Sequence, residues 1–239
     1  MDKEKKLIDG LRGIIPSLHT PFCNQNKIDI PSLKNLIDHT ITTGCSGMLV
    51  GAVAGENSSL SFEEKKMIID ECLSYNKNRI PIIISCSAKN QKDRVALAKS
   101  AKEAGADWIL CQTPENVSGN ELLQCFNEIA EAGPHNLMIQ DLSWTDNGMS
   151  DEDIMLLFEN INKFRALKIE VLNSGPKYSR ILEAANHQLH LSGGWAIMGM
   201  IEALNRGVHA FIPSTMEIIY NKIYKLFTEN KIEASRQLF

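Results

Sequence analysis

Lys168 and Glu170 stand two residues apart in the run Arg165-Ala-Leu-Lys-Ile-Glu-Val171, which otherwise reads as a buried β-strand. Burying an ammonium costs several kcal/mol unless it is paired or gives up its charge. Side chains alternate along a strand, so Ala166, Lys168 and Glu170 share one face and Leu167, Ile169 and Val171 the other. A desolvated lysine amine can attack a carbonyl and form a Schiff base, whose protonated form is an electron sink for cleavage, condensation or dehydration. Glu170 reads two ways: as the partner of a structural ion pair, which favours the ammonium, or as a general acid/base for a bound substrate.

These residues sit in a repeating frame. Strand-like runs begin at Gly13, Ser46, Ile80, Asp107, Asn136, Arg165, Gln188 and Val208, with amphipathic stretches between them. The helix pattern from Ile30 is apolar at Leu33, Leu36, Ile37 and Ile41; the one from Leu60 offers Ser61 as N-cap with Glu64 three residues on; the one from Gln91 ends at Gly105. The strand-to-strand spacing is that of βα units, so the pattern predicts one (β/α)8 TIM barrel domain over residues 1–239, with the start of a C-terminal helical extension. An open doubly wound sheet is the alternative, but its G-x-G-x-x-G turn is absent. A barrel places chemistry at the C-terminal ends of its strands. There stand Ala54–Glu56, Gln140–Ser143, Lys168–Glu170, Ser192–Trp195 and Ile212–Ser214.

Composition narrows the classes. Net charge is −4, and no basic cluster stands out beyond Lys3–Lys6, which argues against nucleic acid as a partner. No apolar run approaches a membrane span, and the polar start MDKEKKLIDG lacks a signal-peptide core. The six cysteines are scattered and the six histidines form no ligand pair, which reads as a cytoplasmic protein with reduced thiols, no metal site and no cofactor.

Four passages carry a likeness: GIIPSLHTPF (Gly13–Phe22), GMLVGAVAGENSSLSFEEKK (Gly47–Lys66), AKEAGADWILCQTP (Ala101–Pro114) and ALKIE (Ala166–Glu170). In this order along nearly the whole chain they resemble the dihydrodipicolinate synthase / N-acetylneuraminate lyase family of pyruvate-dependent aldolases and lyases. The resemblance implies that Lys168 is the Schiff-base lysine, that the substrate is a 2-oxo acid such as pyruvate, and that the chain forms a homodimer or homotetramer. It also implies that Val53, Ala54, Gly55, Gly193 and Ile212 bind substrate.

The departures are specific. The family's G-T-T-G-E turn is Ala52-Val53-Ala54-Gly55-Glu56, without its two hydroxyls; Gly55 would keep the turn permissive enough for backbone N–H groups to hold a carboxylate. The acid/base tyrosine after strand five is Gln140, and the loop's arginine has no counterpart. The tyrosine lent across the dimer is missing from Pro114-Glu115-Asn116. Two readings remain. In one, imine chemistry continues with Glu56, Asp141 and Glu170 as the rim carboxylates. In the other, the fold is kept for binding or assembly without turnover. Glu56 has a second reading as a cap of the following helix. Gly193, Gly194 and Ser214 could cradle a phosphate, and Trp144 and Trp195 could wall the pocket. Along the eighth helix, Ile219, Ile223 and Leu226 read as exposed apolar positions.

Overall fold

The computed structural model describes residues 7–239, without the side chain of Ala196; the Lys3–Lys6 cluster lies outside them. Eight parallel strands alternate with helices: β1 (Gly13–Ile14), α1 (Ile30–Thr42), β2 (Met48–Val50), α2 (Phe62–Asn76), β3 (Ile82–Ser85), α3 (Gln91–Glu103), β4 (Trp108–Gln112) and α4 (Gly119–Ala132). The second half continues with β5 (Asn136–Leu142), α5 (Asp151–Asn160), β6 (Phe164–Glu170), α6 (Ser174–Ala184), β7 (His190–Gly193), α7 (Met200–Asn205), β8 (Ala210–Phe211), α8 (Glu217–Thr228) and α9 (Ile232–Leu238). The strand order is β1-β8-β7-β6-β5-β4-β3-β2, and the Ser17–Leu49 bridge brings the two ends together. This is the expected TIM barrel.

Local chemistry explains the helix starts. Asp29 caps α1 by accepting from the Ser32 N–H, and Pro31 occupies the first turn, where no helical N–H is needed. Ser61 and Glu64 form the expected reciprocal capping box of α2. Asn90 caps α3 through the Asp93 N–H. β1 and β8 are shorter than their sequence runs because Pro16 and Pro213 have no N–H to give; their carbonyls still accept from Leu49 and Ser17.

Alternation divides the core in two. Ile15, Leu49, Ile83, Leu110, Met138 and Ala166 pack inside the barrel. Leu167, Ile169 and Val171 of the sixth strand's run pack outward with the helices. The C-terminal expectation needs two corrections: Ile219 is exposed, but Leu226 is half-buried, and Ile223 is buried with its carbonyl accepting from the Ser235 hydroxyl of α9 at 3.0 Å. α9 folds back on α8 and covers that position. No helix among the described residues is long and apolar enough to cross a membrane. Of the six free cysteines, four are buried, Cys125 is half-buried and Cys23 is exposed.

At the strand-start end, opposite the predicted site, His190 and His209 stack with ring centroids 4.8 Å apart. Burial, then the neighbouring His209, pushes the pKa of His190 down to about 3. Burial, then the charge of Arg12, pushes His209 down to about 4. The unfolded chain protonates these imidazoles near pH 6.5 and the folded chain does not, so folding loses stability as pH falls from about 6.5 toward 4. The slope is at most about 1.4 kcal/mol per pH unit for each ring. The urea midpoint should therefore fall steadily across that window; a flat midpoint would contradict neutral burial of the pair.

Candidate active site

β6 turns Lys168 and Glu170 into the barrel at its C-terminal end, on the face they share with Ala166. Lys168 Nζ lies 2.8 Å from Glu170 Oε2, and both side chains are buried. Two further donors hold the carboxylate. Gln140 Nε2 donates to Oε2 at 2.6 Å, and the Trp195 backbone N–H donates to Oε1 at 3.0 Å. Burial alone would raise the pKa of Glu170. The Lys168 charge and hydrogen bond, with those from Trp195 and Gln140, outweigh it and hold the carboxyl below its usual range. Glu170 is thus a carboxylate near neutral pH, a base before it is an acid.

Register explains this meeting. Gln140 on β5 and Ser192 on β7 are the direct partners of Lys168. Gly194 leaves the room: a Cβ there would fall inside the Glu170 carboxylate. The Gly193–Gly194 turn therefore seats Glu170 rather than an anion, since the N–H that follows it is already given to that carboxylate. Arg206, the nearest basic residue in sequence, pairs with Glu202 and Ser179.

Four expected site residues lie elsewhere. Asp141 follows inward-facing Gln140 and so points out of the barrel. There its Oδ2 accepts from Lys177 Nζ of α6 at 2.6 Å and its Oδ1 from the Met149 N–H at 2.8 Å. It is a buried structural anion and not a rim acid. Glu56 is exposed, in a left-handed turn (φ 58°), and does not line the pocket; nor does it cap α2, which Ser61 does. Gly55 is buried behind the turn, where a Cβ would press on the Leu18 carbonyl at 3.0 Å, and its own carbonyl accepts from Thr20 Oγ1 at 2.7 Å. Its lack of a side chain serves close approach; the left-handed residue is Glu56. Gly193 is buried against Tyr178 and Phe211 and does not line the pocket.

The pocket around Lys168 has a volume of about 560 Å³. Gln140, Glu170, Val53, Ala54 and Ile212 line it as expected. Leu142, within the expected strand-end run Gln140–Ser143, joins them; Ser17, Ala52, Leu172 and Met198 are lining residues beyond the expected set. Ser17 had a signal, its position at the end of the first strand. Leu172 and Met198 had none, because loop side chains follow no periodicity. Trp144 and Trp195, from the loops after β5 and β7, stack with centroids 5.6 Å apart and planes 11° apart.

The model of the dihydrodipicolinate synthetase family matches residues 10–238 of this chain. The chain belongs to that family. Over 188 residues it is 29% identical to 4-hydroxy-tetrahydrodipicolinate synthase of Neisseria gonorrhoeae, a stretch covering 74% of this chain and 65% of that protein. The match thus spans just under two thirds of that family member's length. Among solved structures, the fold matches CdNal of Clostridium difficile, described in complex with mannosamine, with a TM-score of 0.87 and 26% identity over 96% of this chain and 80% of that one. It also matches YagE of E. coli K12, a prophage protein of the dihydrodipicolinic acid synthase family described in complex with pyruvate, with a TM-score of 0.88 and 21% identity over 95% of this chain and 79% of that one. Within the dihydrodipicolinate synthetase family frame, the polar centre of this chain is Lys168, Glu170 and Gln140 on two adjacent strands.

Proposed function

We propose that this chain is a lyase, an aldolase or dehydratase, that acts on a 2-oxo acid such as pyruvate through a Schiff base on Lys168. The observation that carries the reading is the buried contact between Lys168 Nζ and Glu170 Oε2 at the catalytic end of the barrel. Family membership supports the chemistry, and the absence of Asp141 and Glu56 from the pocket leaves Glu170 as the acid/base.

The steps balance on these two residues. The Lys168 ammonium gives a proton to Glu170 Oε2, and the freed nitrogen lone pair bonds to the carbonyl carbon, C2. The carbonyl oxygen takes one proton from the newly bonded, positively charged nitrogen to give a neutral carbinolamine. Glu170 returns its proton to that oxygen, which leaves as water, and the nitrogen becomes a protonated imine. Net, an ammonium and a carbonyl give an iminium and one water. For cleavage, a carboxylate takes the proton from a C4 hydroxyl, the C3–C4 bond breaks, and its electron pair moves to the imine nitrogen as an enamine while an aldehyde departs. For dehydration, Glu170 takes a proton from C3 to give the enamine and delivers it to the C4 hydroxyl, which leaves as water while the nitrogen lone pair re-forms the iminium, now conjugated with a C3–C4 double bond. Gln140 acts as a positioning residue that orients Glu170 through its amide. The setting is cytoplasmic and the assembly a homodimer or homotetramer.

A second reading, ligand binding without turnover, is favoured by Val53 and Ala54, which bring no hydroxyl to the pocket, and by the Gln140 amide, which donates to Glu170. Reductive trapping tests the first reading. With a 2-oxo acid and borohydride, Lys168 should gain the mass of the reduced adduct, and Lys168→Ala should gain none. Slow or absent turnover with an intact adduct would favour the second.

A further inference from the structure

The walls of the pocket and its floor have opposite character. Lys168 and Glu170 are its only charged lining residues among those described, and they neutralise each other. No second cation is there to hold a second carboxylate. On the rim, Val53, Trp144, Leu172 and Met198 are 54%, 68%, 43% and 71% exposed, an unusual concentration of large apolar side chains in water. The Trp144–Trp195 stack gives this rim a flat aromatic wall. On the floor, the Ser17 hydroxyl is buried without a hydrogen-bond partner; behind the lining, so is that of Ser192, the strand partner of Lys168. Buried hydroxyls left unpaired are costly, and a polar ligand head satisfies them.

We infer that the substrate is an aryl-substituted 2-oxo acid: its acid head sits on the floor by Lys168 and Ser17, and its flat apolar tail lies against Trp144 and Trp195. This rests on the imine reading for its chemistry but not for its recognition. A polyhydroxylated tail would bury hydroxyls against Val53, Leu142, Leu172 and Met198, which offer no polar partner. A volume of about 560 Å³ is far more than a three-carbon acid fills and is ordinary for a ligand with a ring.

The test uses 2-hydroxy acids, which have no carbonyl and cannot form an imine. Calorimetry on the intact protein compares 3-phenyllactate with lactate and gluconate. Phenyllactate should bind at least ten-fold tighter than either, and Trp144→Ala, at an exposed position where folding is not at stake, should remove most of that preference. Equal affinities, tighter gluconate binding, or a preference unchanged in Trp144→Ala would overturn the proposal. Borohydride trapping with phenylpyruvate and pyruvate reads the imine separately. A missing adduct beside a retained phenyllactate preference would reject the imine and keep the recognition. An adduct beside equal affinities would do the reverse.

Discussion

Glu170→Gln should slow exchange of the C3 protons of a bound 2-oxo acid with solvent deuterium by about 10²–10⁴-fold, the usual range for losing a positioned general base. The adduct on Lys168 should still be trapped. Glutamine keeps the shape and can still accept from the Trp195 N–H, but it cannot take a proton from C3. Two effects act on the lysine in opposite directions. Losing the carboxylate removes the charge that favours the ammonium, which makes the neutral amine more accessible. It also removes the group that carries protons to and from the carbinolamine, so imine formation is slower but still goes to completion in long incubations. Exchange is where the loss concentrates. Proton NMR of the substrate in D2O measures it, with mass spectrometry of the trapped peptide alongside. Undiminished exchange in Glu170→Gln would move the acid/base role off this residue. Loss of the adduct together with a collapsed melting transition would make the pair structural.

The second large effect lies behind the site. Lys177 Nζ reaches Asp141 Oδ2, on β5, at 2.6 Å and the carbonyls of Asn147 and Met149, on the loop that carries Trp144, at 2.7 and 2.6 Å. Both side chains are almost fully buried. Burial pushes the Asp141 carboxyl up, and the Lys177 charge and hydrogen bonds pull it partly back. Gly148 completes the arrangement: its φ is +67°, and a Cβ there would fall on the Asp141 carboxylate. Removing one member of such a pair typically costs about 3–5 kcal/mol, because the other charge is left buried alone. Lys177→Met should therefore lower the melting midpoint by roughly 6–20 °C, taking about 2–4 °C per kcal/mol for a chain of this size. The double variant Asp141→Leu/Lys177→Met should regain much of the loss, since no charge is then stranded. Additive losses in that cycle would mean that the two residues act independently.

The contrast between Asp141 and Glu170 shows what the sequence carries. Period-two alternation along the sixth strand puts Lys168 and Glu170 on one face, and both face inward as it requires. The same rule applied to Asn136–Leu142 puts Gln140 inside and Asp141 outside, so the position of Asp141 was legible in its strand. Its partner was not. Lys177 lies in Ser174-Gly-Pro-Lys-Tyr, a helix start in which a lysine ordinarily meets water, and only the packing of α6 on β5 brings its ammonium to a buried carboxylate. Ser61 with Glu64 was readable because a capping box is local. The Trp144–Trp195 stack joins two loops 51 residues apart in sequence, and no local pattern fixes how two such loops meet. Ile223 read as exposed because the return of α9 over α8 depends on the turn between them rather than on the apolar pattern of either helix.

The most direct test of the central claim is the covalent one. The folded protein is incubated with pyruvate and, separately, phenylpyruvate, reduced with borohydride, digested and mapped by mass spectrometry. One reduced adduct is expected, on the peptide containing Lys168, and none in Lys168→Ala or without the acid. A folded protein that gains no adduct from either acid, or gains it on a lysine other than Lys168, would contradict that claim.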